Sequence, residues 1–314
     1  MGKIILFGEP MALLTADTTG ALENVEHFTR SMSGAEVNVA IGLSRLGHQV
    51  EYITKLGDDP FGHYIENKLK LDGIGTSFIN YDDVYKTGIQ LKNRVTDGSD
   101  PYAPYYRKGS AASHISMEDI DNIKLDDIDC IHITGIPPAL SESARAATFH
   151  LAKKAKEKGI FVTFDPNLRP NLWKSTEEMK TVINELSSYA NLILPGISEC
   201  KILLGTDDKE EICNIYHNMG IDIVVIKNGS FGAYVSDKKA IHTVNGFKVN
   251  KVVDTVGAGD GFAVGVISGF LDKLDICECV KRGNAIGAIQ VMHIGDNEGL
   301  PTPTELYNFM NQSL

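Results

Sequence analysis

The sequence predicts an α/β fold in which a mainly parallel sheet is covered by helices on both faces and carries a smaller β-rich flap. Three observations point there. Short apolar runs alternate with helical stretches through most of the chain, the pattern of strands joined by crossover helices. Gly47, Gly73, Gly159 and Gly220 stand where those helical stretches should stop. Two long polar segments, residues 13–30 and 84–108, break the rhythm.

In chain order, residues 4–7, 50–56, 130–134, 160–164, 192–194 and 223–226 read as buried strands. Residues 36–46, 62–71, 142–158, 177–189 and 209–219 have helical composition. The two polar segments are rich in Thr, Tyr, Gly and Asp and read as strands and loops. They are expected to form a flap inserted into one domain spanning residues 1–314, not a second core. Ligands of such sheets bind beyond the carboxyl ends of the strands.

Composition narrows the classes of function. The chain has 314 residues, 43% hydrophobic and 23% charged, enough to bury a core without metal or disulfide support. It contains no uncharged apolar run of about 18 residues, and its N-terminus enters a strand-like run at once, without the apolar region of a signal peptide. A cytoplasmic protein is expected. Cys130, Cys200, Cys213, Cys277 and Cys279 form an odd, scattered set, as for reduced thiols. A formal net charge of −11 argues against nucleic acid or an anionic membrane as partner. An acidic protein that binds an anion must build a local positive site, which draws interest to Arg107, Lys108 and Arg169.

The most informative segment is residues 249–271, VNKVVDTVGAGDGFAVGVISGFL. A strand-like run ends at Asp254, a tight turn follows at Gly257, Ala258 and Gly259, and a helical run begins. Free amides and the positive end of a helix dipole make such a turn an anion site. Asp260 at its mouth has the wrong sign to bind phosphate, yet suits a base that deprotonates an incoming hydroxyl. Gly261, Gly265 and Gly269 form one bare stripe, each costing about 1 kcal/mol against alanine, so this helix must pack closely on a neighbour. The dinucleotide fingerprint fails because Phe262 takes its last glycine position, and the P-loop pattern does not occur. The plainer alternative is a helix start with Asp260 as a first-turn stabiliser.

These residues resemble those of the ribokinase-like (phosphofructokinase-B type) carbohydrate kinases. The hallmark is similar to Asp254-Thr255-Val256-Gly257-Ala258-Gly259-Asp260. A second signature resembles Ser33-Gly34-Ala35-Glu36-Val37-Asn38-Val39-Ala40, followed by Lys55-Leu56-Gly57-Asp58-Asp59-Pro60-Phe61-Gly62. The resemblance implies a three-layer α/β domain with a β lid over the sugar, and transfer of phosphate from ATP with Mg2+. Asp260 would be the base, with the amides of Gly257, Ala258 and Gly259 as an anion hole. It implies a nucleotide loop at Lys227, Gly229 and Gly232, with Asn284 on the adenine side; a solvated helix position is the alternative for Asn284. Glu199 would hold magnesium through water, although Gly196 departs from the asparagine usual in that element. A monovalent cation such as K+ is expected near Asp254.

Residues 105–111, 165–173 and 295–299 resemble the members of this family that phosphorylate the sugar acid 2-keto-3-deoxygluconate. That resemblance implies that Arg107 from the lid and Arg169 from a strand end converge on the substrate carboxylate, a task suited to the planar guanidinium. Gly34, Asn38, Gln90 and Tyr105 would line the pocket, with Asp296 on the sugar side. The alternatives are a solvated strand face for Arg107, and for Arg169 a partner for Asp165 or the transferred phosphate. Tyr105 and Tyr106 alternate across a strand, so only one can face the pocket. Gln90 stands where tyrosine is common, which leaves a neutral ketose such as fructose as the alternative acceptor. A catalytically silent sugar-binding regulator is the third reading, against which the intact turn at Gly257–Asp260 speaks. Exposed lid strands tend to pair, so a homodimer is expected.

Overall fold

Alternate residues of the first strand, β1 (Lys3–Phe7), enter different cores: Ile4 and Leu6 face one helical layer, Ile5 and Phe7 the other. A strand buried on both faces has no polar side to show, which is why its apolar run is unbroken. The computed structural model of the chain describes residues 2–96 and 101–312. Residues 97–100 of the expected 84–108 flap, and the outermost residues of the expected 1–314 domain, lie outside the described residues.

The further strands are β2 (Met11–Thr19), β3 (Phe28–Ser33), β4 (Gln49–Gly57), β5 (Gly75–Asp82), β6 (Ile89–Arg94), β7 (Tyr105–Tyr106), β8 (Cys130–Thr134), β9 (Phe161–Asp165), β10 (Leu192–Ile193), β11 (Ile223–Lys227), β12 (Gly232–Ser236) and β13 (Ile241–Asn245). Nine form the main sheet in the order β13-β12-β11-β10-β9-β8-β1-β4-β5. All neighbours from β11 to β5 run parallel, and β12 and β13 close the edge as an antiparallel hairpin.

Helices Glu142–Glu157, Thr176–Ser187, Ile197–Leu204 and Lys209–Asn218 cover one face. Helices Ala35–Arg45, Pro60–Leu71, Ala258–Leu271 and Ile276–Gln290 cover the other. Their starts are fixed by side chains: Asp59, Ser141, Ser175 and Asp208 each accept hydrogen bonds from first-turn amides that have no partner within the helix. The fold is thus the expected three-layer α/β arrangement.

The second, smaller sheet has the order β3-β2-β6-β7 and draws its strands from the two polar stretches. The sequence reading is corrected at two places. Residues 249–254 are not a strand: Val252 and Val253 are exposed, and the Val253 amide donates to Val291 O at 2.7 Å without a ladder beside it. Their β-branched side chains favour an extended backbone, but the sheet edge is already taken by β13. In addition, β5, β12 and β13 were not anticipated. Among the described residues no helix is long and apolar enough to cross a membrane, and all five cysteines are free.

Candidate active site

The site is built at the carboxyl ends of β1, β9, β10 and β11, where Glu9, Asn167, Glu199 and Lys227 emerge. Its centre is the start of the Ala258–Leu271 helix. Gly257 caps that helix with a left-handed φ of +76°, and a Cβ there would come within 2.2 Å of the Asp296 carbonyl oxygen, so only glycine is tolerated. The helix is held backbone to backbone against Ile276–Gln290: a Cβ on Gly265 would lie 2.4 Å from the Gly283 Cα. Packing of that kind is what the glycine stripe requires.

Where the helix opens, amides are left over. Gly261 N donates to Gly257 O at 2.8 Å, and Ala258 N makes only a long bond of 3.4 Å to Thr255 O. Among the described residues no acceptor meets the amides of Gly257, Gly259 and Asp260. These donors can receive negative charge on a transferring group.

Asp260 stands beside them, partly buried. Asn38 Nδ2 donates to its Oδ2 at 2.8 Å, and Asn167 Nδ2 approaches its Oδ1 at 3.4 Å. Asn38 is itself oriented, since its Oδ1 accepts from Asn297 Nδ2 at 3.1 Å. Burial pushes the Asp260 carboxyl up to about 6, against the lowering effects of Asn38 and the Arg169 charge. Such a carboxylate is ionised at neutral pH yet basic enough to take a proton.

Two cavities meet at this turn. The larger, about 520 Å³, is lined by Gly34, Asn38, Gln90, Lys92, Tyr105, Arg107, Arg169, Asp260 and Asp296 among others. The smaller, about 360 Å³, is lined by Gly229, Gly232, Phe247, Phe262, Asn284 and Val291 among others. Lys227, Thr255 and Gly259 border both. The expected catalytic, substrate, nucleotide and magnesium residues each border one of the two cavities, whereas Lys108 and Asp254 line neither. Tyr105 lines the larger cavity and Tyr106 does not, as their alternation requires.

Several side chains are engaged differently from expectation. Arg107 is not free to meet a substrate carboxylate with its full charge, because Nε donates to Glu9 Oε2 at 2.6 Å and Nη2 is in ion-pair contact with the same oxygen. Ser110 Oγ also donates to Glu9. Glu9 went unrecognised in the sequence, although its place just beyond β1 was a usable signal. Lys227 Nζ is paired with Asp165 at 2.7 and 2.9 Å. Asn284 is neither solvated nor free: its Nδ2 donates to Val244 O at 3.0 Å and Asn245 O at 3.1 Å, leaving its oxygen for a ligand. Gln90 Oε1 accepts from Ser33 Oγ at 2.6 Å. Among the described residues, Arg169 alone of the four cavity cations forms no ion pair; its Nη1 donates to Leu168 O at 3.0 Å.

Glu199 accepts from Leu168 N and Gly196 N, both at 2.7 Å, one on each oxygen. Each carboxylate oxygen has a second lone pair, so Glu199 can still hold a water on a magnesium ion. Among the described residues no group of three or more His, Cys, Asp or Glu forms a metal cage. Magnesium carried by phosphates and water needs none. The monovalent cation expected near Asp254 does not fit. That carboxylate accepts from Val256 N at 3.0 Å and Gly295 N at 3.3 Å, and Lys92 Nζ already stands 3.6 Å from its Oδ2.

Comparison with known proteins agrees with this architecture. The pattern of the pfkB family carbohydrate kinases matches residues 1–303. The 2-dehydro-3-deoxygluconokinase of Bacillus subtilis (strain 168) is 42% identical over 98% of this chain and 95% of its own length. That of Thermoproteus tenax is 33% identical over 97% and 93%. Among solved structures, the PfkB protein from Polaromonas sp. JS666 superposes with a TM-score of 0.90 at 43% identity, covering 98% of this chain and 99% of its own. A Vibrio cholerae O395 fructokinase, solved in a fructose, ADP and calcium ion bound form, superposes with a TM-score of 0.86 at 27% identity, covering 99% of each chain. The chain belongs to the pfkB family and is a carbohydrate kinase.

Proposed function

We propose that the enzyme transfers the γ-phosphoryl group of ATP to the 6-hydroxyl of 2-keto-3-deoxygluconate, with Asp260 as general base. The observation that carries this reading is the position of the Asp260 carboxylate, in the larger cavity beside unpartnered helix-start amides and next to Gly259, which borders both cavities. The acceptor would occupy the larger cavity under the small sheet, the nucleotide the smaller apolar one. Asp260 takes the hydroxyl proton as the new P–O bond forms and the bond from the γ-phosphorus to the bridging oxygen breaks, releasing ADP. The amides of Gly257 and Gly259 receive charge on the transferring phosphoryl group, and Asn38 keeps the base pointed at the acceptor. Magnesium, held through water on Glu199, would neutralise phosphate charge.

Arg169, the cavity cation without an ion pair, supports an acidic acceptor, as does the likeness to two 2-dehydro-3-deoxygluconokinases. A neutral ketose is the second reading, favoured by the neutralisation of Arg107 by Glu9 and by the Gln90 amide in the cavity. Phosphorylation measured with ketodeoxygluconate, fructose and ribose side by side separates the two; preference for a neutral sugar overturns the acid assignment. Asp260→Asn should bind both ligands and lose about 10²–10⁴ in kcat. Near-normal turnover in that variant removes Asp260 from its role.

A further inference from the structure

Lys92 belongs to strand β6 of the small sheet, but its ammonium group reaches into the main domain. Nζ lies 3.0 Å from Asp296 Oδ1 and 3.6 Å from Asp254 Oδ2, and the residue is only 8% exposed. Both carboxylates frame the catalytic turn. Asp254 accepts from Val256 N through Oδ1 and from Gly295 N through Oδ2. The Asp296 carbonyl oxygen is the atom against which Gly257 packs too closely for any Cβ. Two carboxylates brought this near would repel each other without a cation between them. Burial opposes the charge of Lys92, but Asp296 and Asp254 more than offset it and raise its pKa. A bare ion would have to displace this ammonium to reach Asp254.

We propose that Lys92 is the resident cation of the phosphoryl-transfer turn: a tethered ammonium delivered by the small sheet, which holds Asp254 and Asp296 in place and removes any need for a monovalent metal ion there. The inference rests on the kinase reading of the turn but not on the identity of the acceptor. Lys92 is a positioning residue, acting through the two carboxylates on the amides of Gly257 and Gly259.

The test compares turnover in potassium, sodium, ammonium and tetramethylammonium salts, the last too large to enter the gap. Wild-type kcat should vary by no more than about twofold across the series. Lys92→Ala should lose at least about tenfold in kcat with tetramethylammonium and regain most of it, saturably, with ammonium or potassium. Lys92→Met, which fills the space without a charge, should show that same loss in every salt. Wild-type activation of about tenfold or more by potassium overturns the proposal. So does a Lys92→Ala enzyme as active as wild type in tetramethylammonium, or one that no small cation restores. If the variants fail to fold, the wild-type series alone decides. Running the series with whichever sugar the acceptor panel selects keeps a wrong acceptor distinct from a wrong role for Lys92.

Discussion

Replacing Asn38 should move the pH dependence of the reaction by a calculable amount. Its Nδ2 donates to Asp260 Oδ2 at 2.8 Å, a bond that favours the ionised carboxylate. Hydrogen bonds to charged groups contribute about 1.5–3 kcal/mol, and one pKa unit is about 1.4 kcal/mol. Losing the donor in Asn38→Leu therefore raises the Asp260 pKa by roughly one to two units above its value of about 6. A general base works only when ionised, so activity climbs as pH rises through that pKa. At pH 7 the ionised fraction falls from about nine-tenths to between about a half and a tenth. The variant should then be about two- to tenfold slower at pH 7 and approach the wild-type rate by about pH 9. The assay is kcat against pH from about 5 to 9 with saturating ATP and sugar, with thermal unfolding as the folding control. A uniform loss at every pH with an unmoved acidic limb would refute the assignment of Asn38 as the residue that sets the base.

Other expectations concern charge and burial. Arg169→Ala should raise KM for a sugar acid by about tenfold or more and leave KM for fructose little changed, because among the described residues Arg169 forms no ion pair; equal effects on the two KM values in parallel titrations would contradict this. Arg107→Ala should instead destabilise the fold by about 3–5 kcal/mol, since it strands the buried Glu9, and chemical denaturation should register that loss. Burial pushes Glu36 up to about 7 from 4.5, so the folded chain holds a proton there that the unfolded chain has released. Stability from this group is full below about pH 4.5 and declines until about pH 7, by about 3 kcal/mol. Glu36→Gln should therefore gain Tm relative to wild type between pH 5 and 8, and a constant difference would argue against a buried neutral acid.

Much of the fold was legible because it depends on near-neighbour chemistry. The apolar runs of β1 and β11 exist because both faces are buried, and the glycine stops all carry positive φ. The turn at Asp254–Asp260 was legible because its residue types are forced by backbone geometry and by the proton the reaction must lose. Strands β12 and β13 were not: β12 is short and opens on a glycine, β13 is short and largely exposed, while residues 249–254 looked more strand-like and found no ladder to join. The ion pairs of the site were also silent. Glu9 and Arg107 are 98 residues apart, and Lys92 and Asp296 are 204 apart. No periodicity records such pairings, and that is why Arg107 was read as free and Lys92 was passed over. Asn167 lay within a recognised segment, but only its positive φ turns its amide toward Asp260.

The seam between Gly265 and Gly283 ties substitutions remote from any ligand to the chemistry. At Gly265 main chain meets main chain, with no side chain to give way before an intruding methyl group, so a bulkier residue there must shift one helix against the other. The start of one of them carries Gly257 and Asp260. A variant made far from nucleotide or sugar would thus reveal itself first as slowed turnover in a still-folded enzyme.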